Sequence, residues 1–296
     1  MLAGLLGHHL TTLDIDFLRS LPDGLVVDLD RQLDLERSEP GLPSLLWSIL
    51  WEASAARRLP PGFTKQVTFA LRGHRFTMEL DLSESPECGY LLRNPTVAIT
   101  RRLLRGGSTM LDIGANAGFH ALSAGLLYRS VIAFEPTPAT FARLERNIAL
   151  SQLPNVRALA IALSDREGEA SFAINPAHCG ANRLADAPGA AAGQTVTVRL
   201  RTLDSLDAAA SVGPIDFMKI DVEGHECEVI AGASKVIGRD RPTIVAEFNS
   251  PELFDRFRSL LPSGYRAVRD RSDGTSVPVA GGQEAVAARD VVFEAR

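Results

Sequence analysis

From residue 87 onward, short continuous apolar runs alternate with segments whose apolar residues recur at helical spacing. The apolar runs, with glycines near their ends, are typical of strands that are buried on both faces. The first elements in chain order are "NPTVAITRRLLRGG" (helix), "TMLDIG" (strand), "GFHALSAGLLY" (helix), "SVIAFEP" (strand), "PATFARLERNIALS" (helix) and "NVRALAIAL" (strand). This alternation predicts a parallel sheet with helices on both of its faces.

The later part of the chain continues this pattern and adds an insertion. Further strands are predicted at "PIDFMKID", "RPTIVAEF", "YRAVRD" and "DVVFEA", with a helix from about Gly224 and another at "PELFDRFRSLL". The core sheet is therefore expected to have seven strands. The runs "EASFAI" and "TVTVRLR" predict an additional strand pair, which flanks an Ala/Gly-rich loop from Ala185 to Gln194.

The first 85 residues have a different character. An apolar helix is predicted in "PSLLWSILWEASAARRL", where Leu46 and Leu50 lie one helical turn apart. The segment "KQVTFALRGHRFTMELDL" alternates around Gly73 and predicts two strands joined at "RGH". We therefore predict an N-terminal extension or cap, residues 1–85, and a main domain, residues 86–296. The extension either only packs on the main domain or also lines a substrate site or subunit interface.

Composition limits the kinds of binding partner and the cellular location that we expect for this protein. The 296 residues are 45% hydrophobic and 23% charged, as in ordinary globular proteins, and the net charge of −5 gives no basic surface for nucleic acid. The cysteines, Cys88, Cys179 and Cys227, form no CxxC pair, which favours a reducing cytoplasm over a disulfide framework or a zinc site. Neither a signal peptide nor a membrane span is predicted, because charged residues and histidines interrupt every long apolar run.

The segment "MLDIGANAGFH" reads as a strand, a tight turn and a helix start, the place where a doubly wound sheet binds a nucleotide-like ligand. Gly114 and Gly118 allow a sharp turn and a close approach of the backbone to that ligand. A nicotinamide-binding G-x-G-x-x-G pattern would need glycines where Asn116 and Phe119 stand. The polar Asn116 in the turn favours a ligand that carries no phosphate.

Three acids are placed to contact such a ligand. Glu135 ends the second strand about 20 residues later, where a carboxylate can accept both hydroxyl protons of a ribose. Asp112, two residues before Gly114, can turn toward the cleft and bind an amine, and Asp165 after the third strand can accept an adenine amino group. Alternatively, Asp112 pairs with a loop amide, Glu135 is a solvated strand end, and Asp165 is an ordinary turn acid.

The stretch "FMKIDVEGHECEVI" places a lysine and several acids on a strand that otherwise looks buried. Lys219 and Asp221 lie on one face of this strand because side chains alternate with a period of two. They are therefore expected to pair, which avoids an isolated buried charge. Asp221, Glu223 and His225 follow at the carboxyl end of the strand, facing the crevice where doubly wound sheets hold their substrates.

These motifs together resemble the FkbM family of S-adenosylmethionine-dependent methyltransferases. The resemblance covers roughly residues 87–295 and includes "LDIGANAGFH", "AFEPTPATFARLERNIAL", "ALSDREGEASF", "LRTLDSL", "MKIDVEGHECEVIAGA" and "DVVFEA". It implies the class I methyltransferase fold, a Rossmann-like sheet of seven mostly parallel strands with an antiparallel last strand. It further implies S-adenosylmethionine bound by the glycine loop and Glu135, and O-methyl transfer to a small molecule such as a sugar or polyketide. Cys227 stands where the family commonly has an aromatic or aliphatic residue.

Under this resemblance, the charged residues at the end of the strand become candidates for catalysis. An alcohol acceptor must lose a proton during methyl transfer, and His225, Asp221 or Glu223 can accept it. In the plainer interpretation, Glu223 and Glu226 are first-turn acids favoured by the helix dipole and His225 caps the helix. A hard cation held by Asp221, Glu223, His225 and Glu247 is a further alternative. N-methylation of an amine or peptide, a non-catalytic adenosyl-binding module and a nicotinamide dehydrogenase are the rival functions.

Overall fold

A computed structural model describes residues 19–20, 22, 24–30, 59–60, 62–83, 99, 102–174, 183–184, 194–206, 213–271 and 274–295. The backbone divides into two compact units, residues 1–97 and residues 98–296. The predicted boundary after residue 85 falls earlier, and residues 84–98 between the two positions are outside the described ranges.

The N-terminal unit contains the predicted hairpin. Its strands are β1, Leu25–Asp28, β2, Thr64–Leu71, and β3, His74–Asp81. β2 and β3 pair antiparallel through a tight turn in which Arg72 and Gly73 have φ values of 50° and 78°, as a two-residue hairpin requires. β1, which the sequence did not predict, pairs parallel with β2. The predicted apolar helix before the hairpin lies almost entirely outside the described residues.

The second unit begins with the alternating strands and helices that the sequence predicts. Their bounds are β4, Gly107–Ile113; α1, Phe119–Gly125; β5, Tyr128–Phe134; α2, Pro138–Ser151; and β6, Val156–Leu159. Of the helix predicted before β4, only Ile99, Arg102 and Leu103 are described as helical, and Gly107 already belongs to β4.

The predicted insertion forms a small sheet of its own. Its strands are β7, Ala162–Leu163; β8, Gly168–Ala173; β9, Arg183–Leu184; and β10, Thr195–Arg201, and a 3₁₀ turn at Leu203–Ser205 follows. β8 and β10 pair antiparallel, which confirms the predicted strand pair. The predicted strand "NVRALAIAL" is divided between β6 and β7, which belong to different sheets. The Ala/Gly-rich loop lies largely outside the described residues.

The remaining elements complete the main sheet. They are β11, Ile215–Ile220; α3, Glu226–Ala231; α4, Ser234–Asp240; β12, Thr243–Glu247; α5, Pro251–Leu260; β13, Tyr265–Asp270; β14, Ser276–Pro278; α6, Gly282–Ala288; and β15, Asp290–Ala295. The helix predicted from about Gly224 is thus two short helices. Among the described helices none is long and apolar enough to cross a membrane.

In the described chain the main sheet has eight strands in the order β14-β13-β15-β12-β11-β4-β5-β6. β15 pairs antiparallel with both β12 and β13, and β14 pairs antiparallel with β13. The strands from β12 to β6 pair parallel with one another. The predicted α/β fold with an antiparallel last strand is therefore confirmed, and β14 is an additional edge strand.

The two faces of this sheet carry separate apolar layers. Leu111, Ile113, Met218 and Ile220 belong to one layer, and Met110, Phe217 and Val245 belong to the other. At the carboxyl end of the central strands the second face changes from apolar to charged, because Asp112, Lys219 and Glu247 follow those residues with the strand period of two. This charged edge positions the candidate site.

Candidate active site

A cleft opens to solvent at the carboxyl ends of β4, β5 and β11. It is lined by residues from the segments 113–116 after β4, 134–136 after β5, 161–163 near the small sheet and 221–225 after β11, and by Phe172 of β8. Clefts at this edge of a parallel sheet are the usual ligand sites of doubly wound folds.

The glycine loop is shaped by contacts with neighbouring strands. Gly114 has a φ of +79°, and a Cβ there would lie 1.9 Å from the carbonyl oxygen of Asp221. Asn116 also has a positive φ, 49°, and lines the cleft. Gly118, with a φ of +101°, starts α1, and a Cβ there would meet Leu144 Cδ1 at 2.6 Å. Gly118 is thus explained by packing of α1 on α2, whereas Gly114 and Asn116 face the cleft.

Glu135 is buried at the end of β5, with 7% of its surface exposed, and it lines the cleft. Its Oε2 accepts a hydrogen bond from the Asn116 amide at 3.1 Å, and its Oε1 accepts one from the Thr137 amide at 2.9 Å. Burial raises the pKa of Glu135, while these amides partly oppose the shift. A carboxylate has about four acceptor positions, so these two amides leave acceptor capacity for the hydroxyl groups of a ligand.

The part of the cleft beyond Glu135 is apolar. Ile161, Leu163 and Phe172 line it and offer a surface for a flat ring. Asp165, the predicted adenine acceptor, is not among the cleft-lining residues. Its side chain is 42% exposed and lies 3.7 Å from Arg166, and its Oδ1 accepts a hydrogen bond from Ser164 Oγ at 3.1 Å.

Asp112 occupies a different environment from the one predicted. Its side chain is fully buried, it does not line the cleft, and its Oδ1 lies 3.5 Å from Lys219 Nζ. Burial raises the pKa of Asp112, Lys219 opposes that shift and Asp221 adds to it. The structure therefore makes Asp112 a partner of Lys219 beneath the glycine loop. It does not place Asp112 in the cleft, where the sequence predicted that it would bind an amine.

Lys219 links the glycine loop to the charged strand end. Its Nζ lies 3.3 Å from Asp221 Oδ2, which confirms the predicted pair, and it donates a hydrogen bond to the carbonyl oxygen of Gly114 at 2.9 Å. Burial alone would raise the pKa of Asp221, but attraction to Lys219 and hydrogen bonding outweigh it, so the pKa is lowered. The Asp221 side chain keeps 38% of its surface exposed at the cleft. An ionised carboxylate therefore faces the cleft.

His225 lines the cleft, but both of its ring nitrogens have protein partners. Nε2 lies 3.0 Å from Ser164 Oγ, and Nδ1 lies 3.4 Å from Glu228 Oε2. Glu228 is held in turn by Arg256 at 2.8 Å. His225 is the N-cap residue of α3, yet its side chain makes no capping hydrogen bond. Its side chain therefore ties the small sheet to α3, a contact that sequence reasoning missed because Ser164 lies 61 residues away.

Glu226, not Glu223, holds the loop between β11 and α3. Glu223 and Gly224 have positive φ values of 57° and 103°. The Oε1 atom of Glu226 accepts hydrogen bonds from the Val222 and Gly224 amides at 3.2 Å each. Glu226 is only 2% exposed, and burial raises its pKa to about 7 despite those amides. Glu226 lies in the first turn of α3, as the plainer interpretation expected, and it also anchors the loop that precedes the helix.

A second group of charges lies behind Asp221 on the same face of the sheet. Glu247 ends β12 and stands opposite Asp290 of β15, and Arg289 Nε donates to Glu247 Oε1 at 2.9 Å. His120 of α1 is buried on this side, where burial and then Lys219 lower its pKa to about 3. Within the described ranges, no three His, Cys, Asp or Glu side chains are arranged to hold a metal ion.

The sheet order, the glycine loop and the acid at the end of β5 together define a class I methyltransferase fold. The family model described as the methyltransferase FkbM domain matches residues 112–270, more than half of the chain. The chain therefore belongs to the FkbM methyltransferase family, as the sequence motifs predicted.

Two curated relatives are each similar to part of this chain. The hexuronic acid methyltransferase AglP of Haloferax volcanii is 32% identical over 127 residues, which are 43% of this chain and 50% of AglP. The 2-O-methyltransferase NoeI of Sinorhizobium fredii is 28% identical over 199 residues, covering 58% of this chain and 81% of NoeI. The crystal structure of methyltransferase FkbM from Methylobacillus flagellatus aligns with a TM-score of 0.41 at 14% identity, covering 88% of this chain and 62% of that one. The chain thus matches only half the length of AglP.

Proposed function

We propose that this protein is an S-adenosylmethionine-dependent O-methyltransferase whose acceptor is a hydroxyl group of a sugar or another small molecule. The observation that carries the proposal is the placement of Glu135 and Asp221 on one cleft, on either side of the glycine loop. Glu135 keeps acceptor capacity beyond its two amide hydrogen bonds, and Asp221 presents an ionised carboxylate.

The residues of the cleft fit S-adenosylmethionine. Glu135 would accept hydrogen bonds from the two ribose hydroxyls, and Ile161, Leu163 and Phe172 would cover the adenine ring. Gly114 and Asn116 would contact the part of the ligand that crosses the ends of β4 and β11. When bound, the cofactor supplies a methyl group on a positively charged sulfur.

Asp221 is our candidate for the general base. It faces the cleft and is kept ionised by Lys219, so it can accept the proton that a hydroxyl group loses as its oxygen gains the methyl group. His225 has both nitrogens occupied by Ser164 and Glu228 and is assigned a positioning role. Glu223 lines the same cleft. It is the second candidate for the base if Asp221 only neutralises the charge of Lys219.

A hydroxyl acceptor is favoured over an amine by the names of the two relatives. One is described as acting on a hexuronic acid and the other as a 2-O-methyltransferase. We extend this oxygen chemistry to the present chain as a proposal. The competing possibility is a module that binds the adenosyl ligand without catalysis.

Two measurements test the proposal in sequence. Calorimetric titration with S-adenosylmethionine and S-adenosylhomocysteine should show binding to a single site. Methyl transfer from isotope-labelled cofactor is then measured with hexuronic acids, neutral sugars, aliphatic alcohols and primary amines, and products are identified by mass spectrometry. O-methylated products that disappear in Asp221→Asn would support the proposal. Binding without turnover on any pool would favour the adenosyl-binding module, and methylated amines alone would overturn the choice of oxygen.

A further inference from the structure

The segment that follows β11 forms one wall of the cleft in an unusual backbone conformation. Asp221, Val222, Glu223 and His225 all line the cleft. Glu223 and the next residue, Gly224, have φ values of 57° and 103°, so two successive residues are left-handed. Glycine adopts such values readily, but they are disfavoured for glutamate. The wall therefore needs a contact that stabilises it against a more ordinary backbone path.

The side chain of Glu226 supplies this contact. Its Oε1 atom accepts hydrogen bonds from the Val222 and Gly224 amides at 3.2 Å each, and these two amides lie on either side of Glu223. Two amides that are separated by one residue can meet at a single oxygen only if the backbone curls between them, as it does in anion-binding concavities of the main chain. The two hydrogen bonds thus fix the backbone at Glu223.

Glu226 can serve as a support because its own position is fixed. It is the first residue of α3, it is almost fully buried, and Cys227, Val229 and Ile230 of the same helix are packed in the core. In the described part of the chain its other carboxyl oxygen, Oε2, is buried and has no hydrogen-bond partner. The carboxyl group therefore holds the loop through Oε1.

The two ends of the wall are held by different contacts. The Asp221 amide donates to the Ile113 carbonyl oxygen at 3.0 Å, which ties the start of the wall to β4. At the other end, His225 Nε2 lies 3.0 Å from Ser164 Oγ. Glu226 holds the middle of the wall between these two ends. Loss of its carboxyl group should therefore release the middle while the two ends stay in place.

We propose that Glu226 is a positioning residue for methyl transfer, which holds residues 222–224 so that Asp221 and Glu223 are presented to the acceptor hydroxyl group. This inference rests on the proposed function, with Asp221 as the candidate base. Glu226 is not among the cleft-lining residues, so it acts through the loop and does not touch the acceptor. Glu135 is held by other amides, so cofactor binding should depend little on Glu226.

The first test needs no acceptor. Hydrogen exchange of individual backbone amides is measured by NMR. The Val222 and Gly224 amides should exchange at least about 10-fold faster in Glu226→Ala than in the wild type, and they should stay protected in Glu226→Gln, whose oxygen can still accept. The Asp221 amide, which is bonded to β4, is the internal reference. Equal exchange of the Val222 and Gly224 amides in the wild type and in Glu226→Ala would overturn the proposal.

The second test uses the acceptor found in the methylation screen. Glu226→Ala should lower kcat by about 10-fold or more, because a small displacement of reacting groups is costly, while S-adenosylhomocysteine affinity stays within about threefold. Glu226→Gln should recover most of the lost turnover. Glu252→Ala removes an exposed first-turn acid of α5 and is the matched control. A folded Glu226→Ala variant with wild-type kcat would overturn the proposal, as would a loss of cofactor affinity as large as the loss of kcat.

Gly224→Ala disturbs the same loop by a second route. A Cβ at Gly224 would meet no atom within 4 Å, but the φ of 103° is strained for alanine, so the variant weakens the loop without a clash. Its kcat should fall while cofactor affinity is kept. Gly213→Ala, which is strained in the same way at a φ of 83°, is the control.

The double variant of Glu226→Ala and Gly224→Ala tests whether the two changes act through the same segment. Its kcat should be no more than about threefold below that of the worse single variant, because both changes release one loop. Losses of kcat that multiply in the double variant would overturn the shared route. Failure of the proposed function would appear differently, as a wild-type protein that protects the Val222 and Gly224 amides through Glu226 but transfers no methyl group.

Discussion

Gly114 and Asp221 are in such close contact that a Cβ on Gly114 would lie 1.9 Å from the Asp221 carbonyl oxygen. The ends of β4 and β11 meet at this point, and the Asp221 amide donates back to the Ile113 carbonyl oxygen at 3.0 Å. The glycine loop and the candidate base are therefore parts of one rigid junction.

Gly114→Ala should force the ends of β4 and β11 apart. We expect a loss of about 2 kcal/mol or more in the free energy of unfolding, because the new methyl group meets backbone and the φ of +79° is strained for alanine. S-adenosylhomocysteine binding should weaken as well. Gly213→Ala is the control, since Gly213 has a φ of +83° with no atom within 4 Å of its Cβ position. Urea unfolding measures both variants. If the two lose the same free energy of unfolding, the loss comes from backbone strain alone, and the close contact of Gly114 with Asp221 adds nothing to it.

Glu135→Ala should weaken S-adenosylhomocysteine binding by about 1 to 3 kcal/mol, because a ligand would lose a charged acceptor. The structure adds an effect that the sequence did not suggest: the Asn116 and Thr137 amides lose their partner, so stability should also fall. Calorimetry and thermal unfolding measure the two effects separately. Glu145→Ala removes an exposed acid of α2 and should leave both values unchanged. Full affinity in Glu135→Ala would refute the ribose assignment.

Asp221→Asn should mainly lower turnover, whereas His225→Ala should mainly lower stability. Asp221→Asn should lower turnover by about 100-fold or more, in the range expected for a lost general base. His225→Ala removes the contacts to Ser164 and Glu228, so we expect a loss of about 1 kcal/mol in stability with turnover reduced by less than about 10-fold. Steady-state kinetics at saturating cofactor give the comparison. If His225→Ala suffers the larger loss of turnover, the base is His225 and the assignment to Asp221 is wrong.

Glu226 should make stability fall as pH rises above the ordinary glutamate range. Its pKa is raised from 4.5 to about 7 in the folded protein, so the folded state retains a proton that the unfolded state has released between these values. The stabilisation is complete below about pH 4.5 and is lost as pH rises through about 7.

Glu226→Gln removes this titration, and urea unfolding between pH 5 and pH 8 should show a shallower decline, by about 2 kcal/mol over that interval. The glutamine oxygen can still accept from the Val222 and Gly224 amides, so the loop should persist. Glu252→Gln, which alters an exposed acid, should reproduce the wild-type slope. A wild-type slope in Glu226→Gln would mean that other acids, such as Asp290, control the decline.

Most of the fold was predictable from the sequence because its signals are local. The strands of the parallel sheet are continuous apolar runs, and helix α2 begins at Pro138 after Thr137, as helix-start rules suggest. The elements β1, β9, β14 and α6 were not predicted. Two departures from the predicted strands have clear physical reasons. β14 is a three-residue edge strand with little apolar character, and the run containing β6 and β7 changes sheet within a continuous apolar stretch.

The candidate site was less predictable, because its contacts join residues that are distant in sequence. The pair of Lys219 and Asp221 follows from strand periodicity alone and was found. The partners of His225 depend on which segments become neighbours in the folded chain, because Ser164 lies 61 residues before it. Asp112 is a second case in which a distant contact could not be predicted. Its position before the glycine loop suggested a ligand contact, but β4 pairs with β11 in a register that places Asp112 beside Lys219.

The placement of β15 has a consequence for how this sheet is assembled. β15 follows every other strand of the sheet along the chain, yet it lies between β12 and β13 and is hydrogen-bonded to both. Until it arrives, β12 has an open edge, and β13 and β14 can form only a separate hairpin. A ribosome-bound chain that lacks this segment therefore exposes an unpaired apolar strand, which is a target for chaperones or for aggregation. Since Glu247 faces Asp290 only through this pairing, the group of charges behind the candidate base is incomplete until β15 is in place.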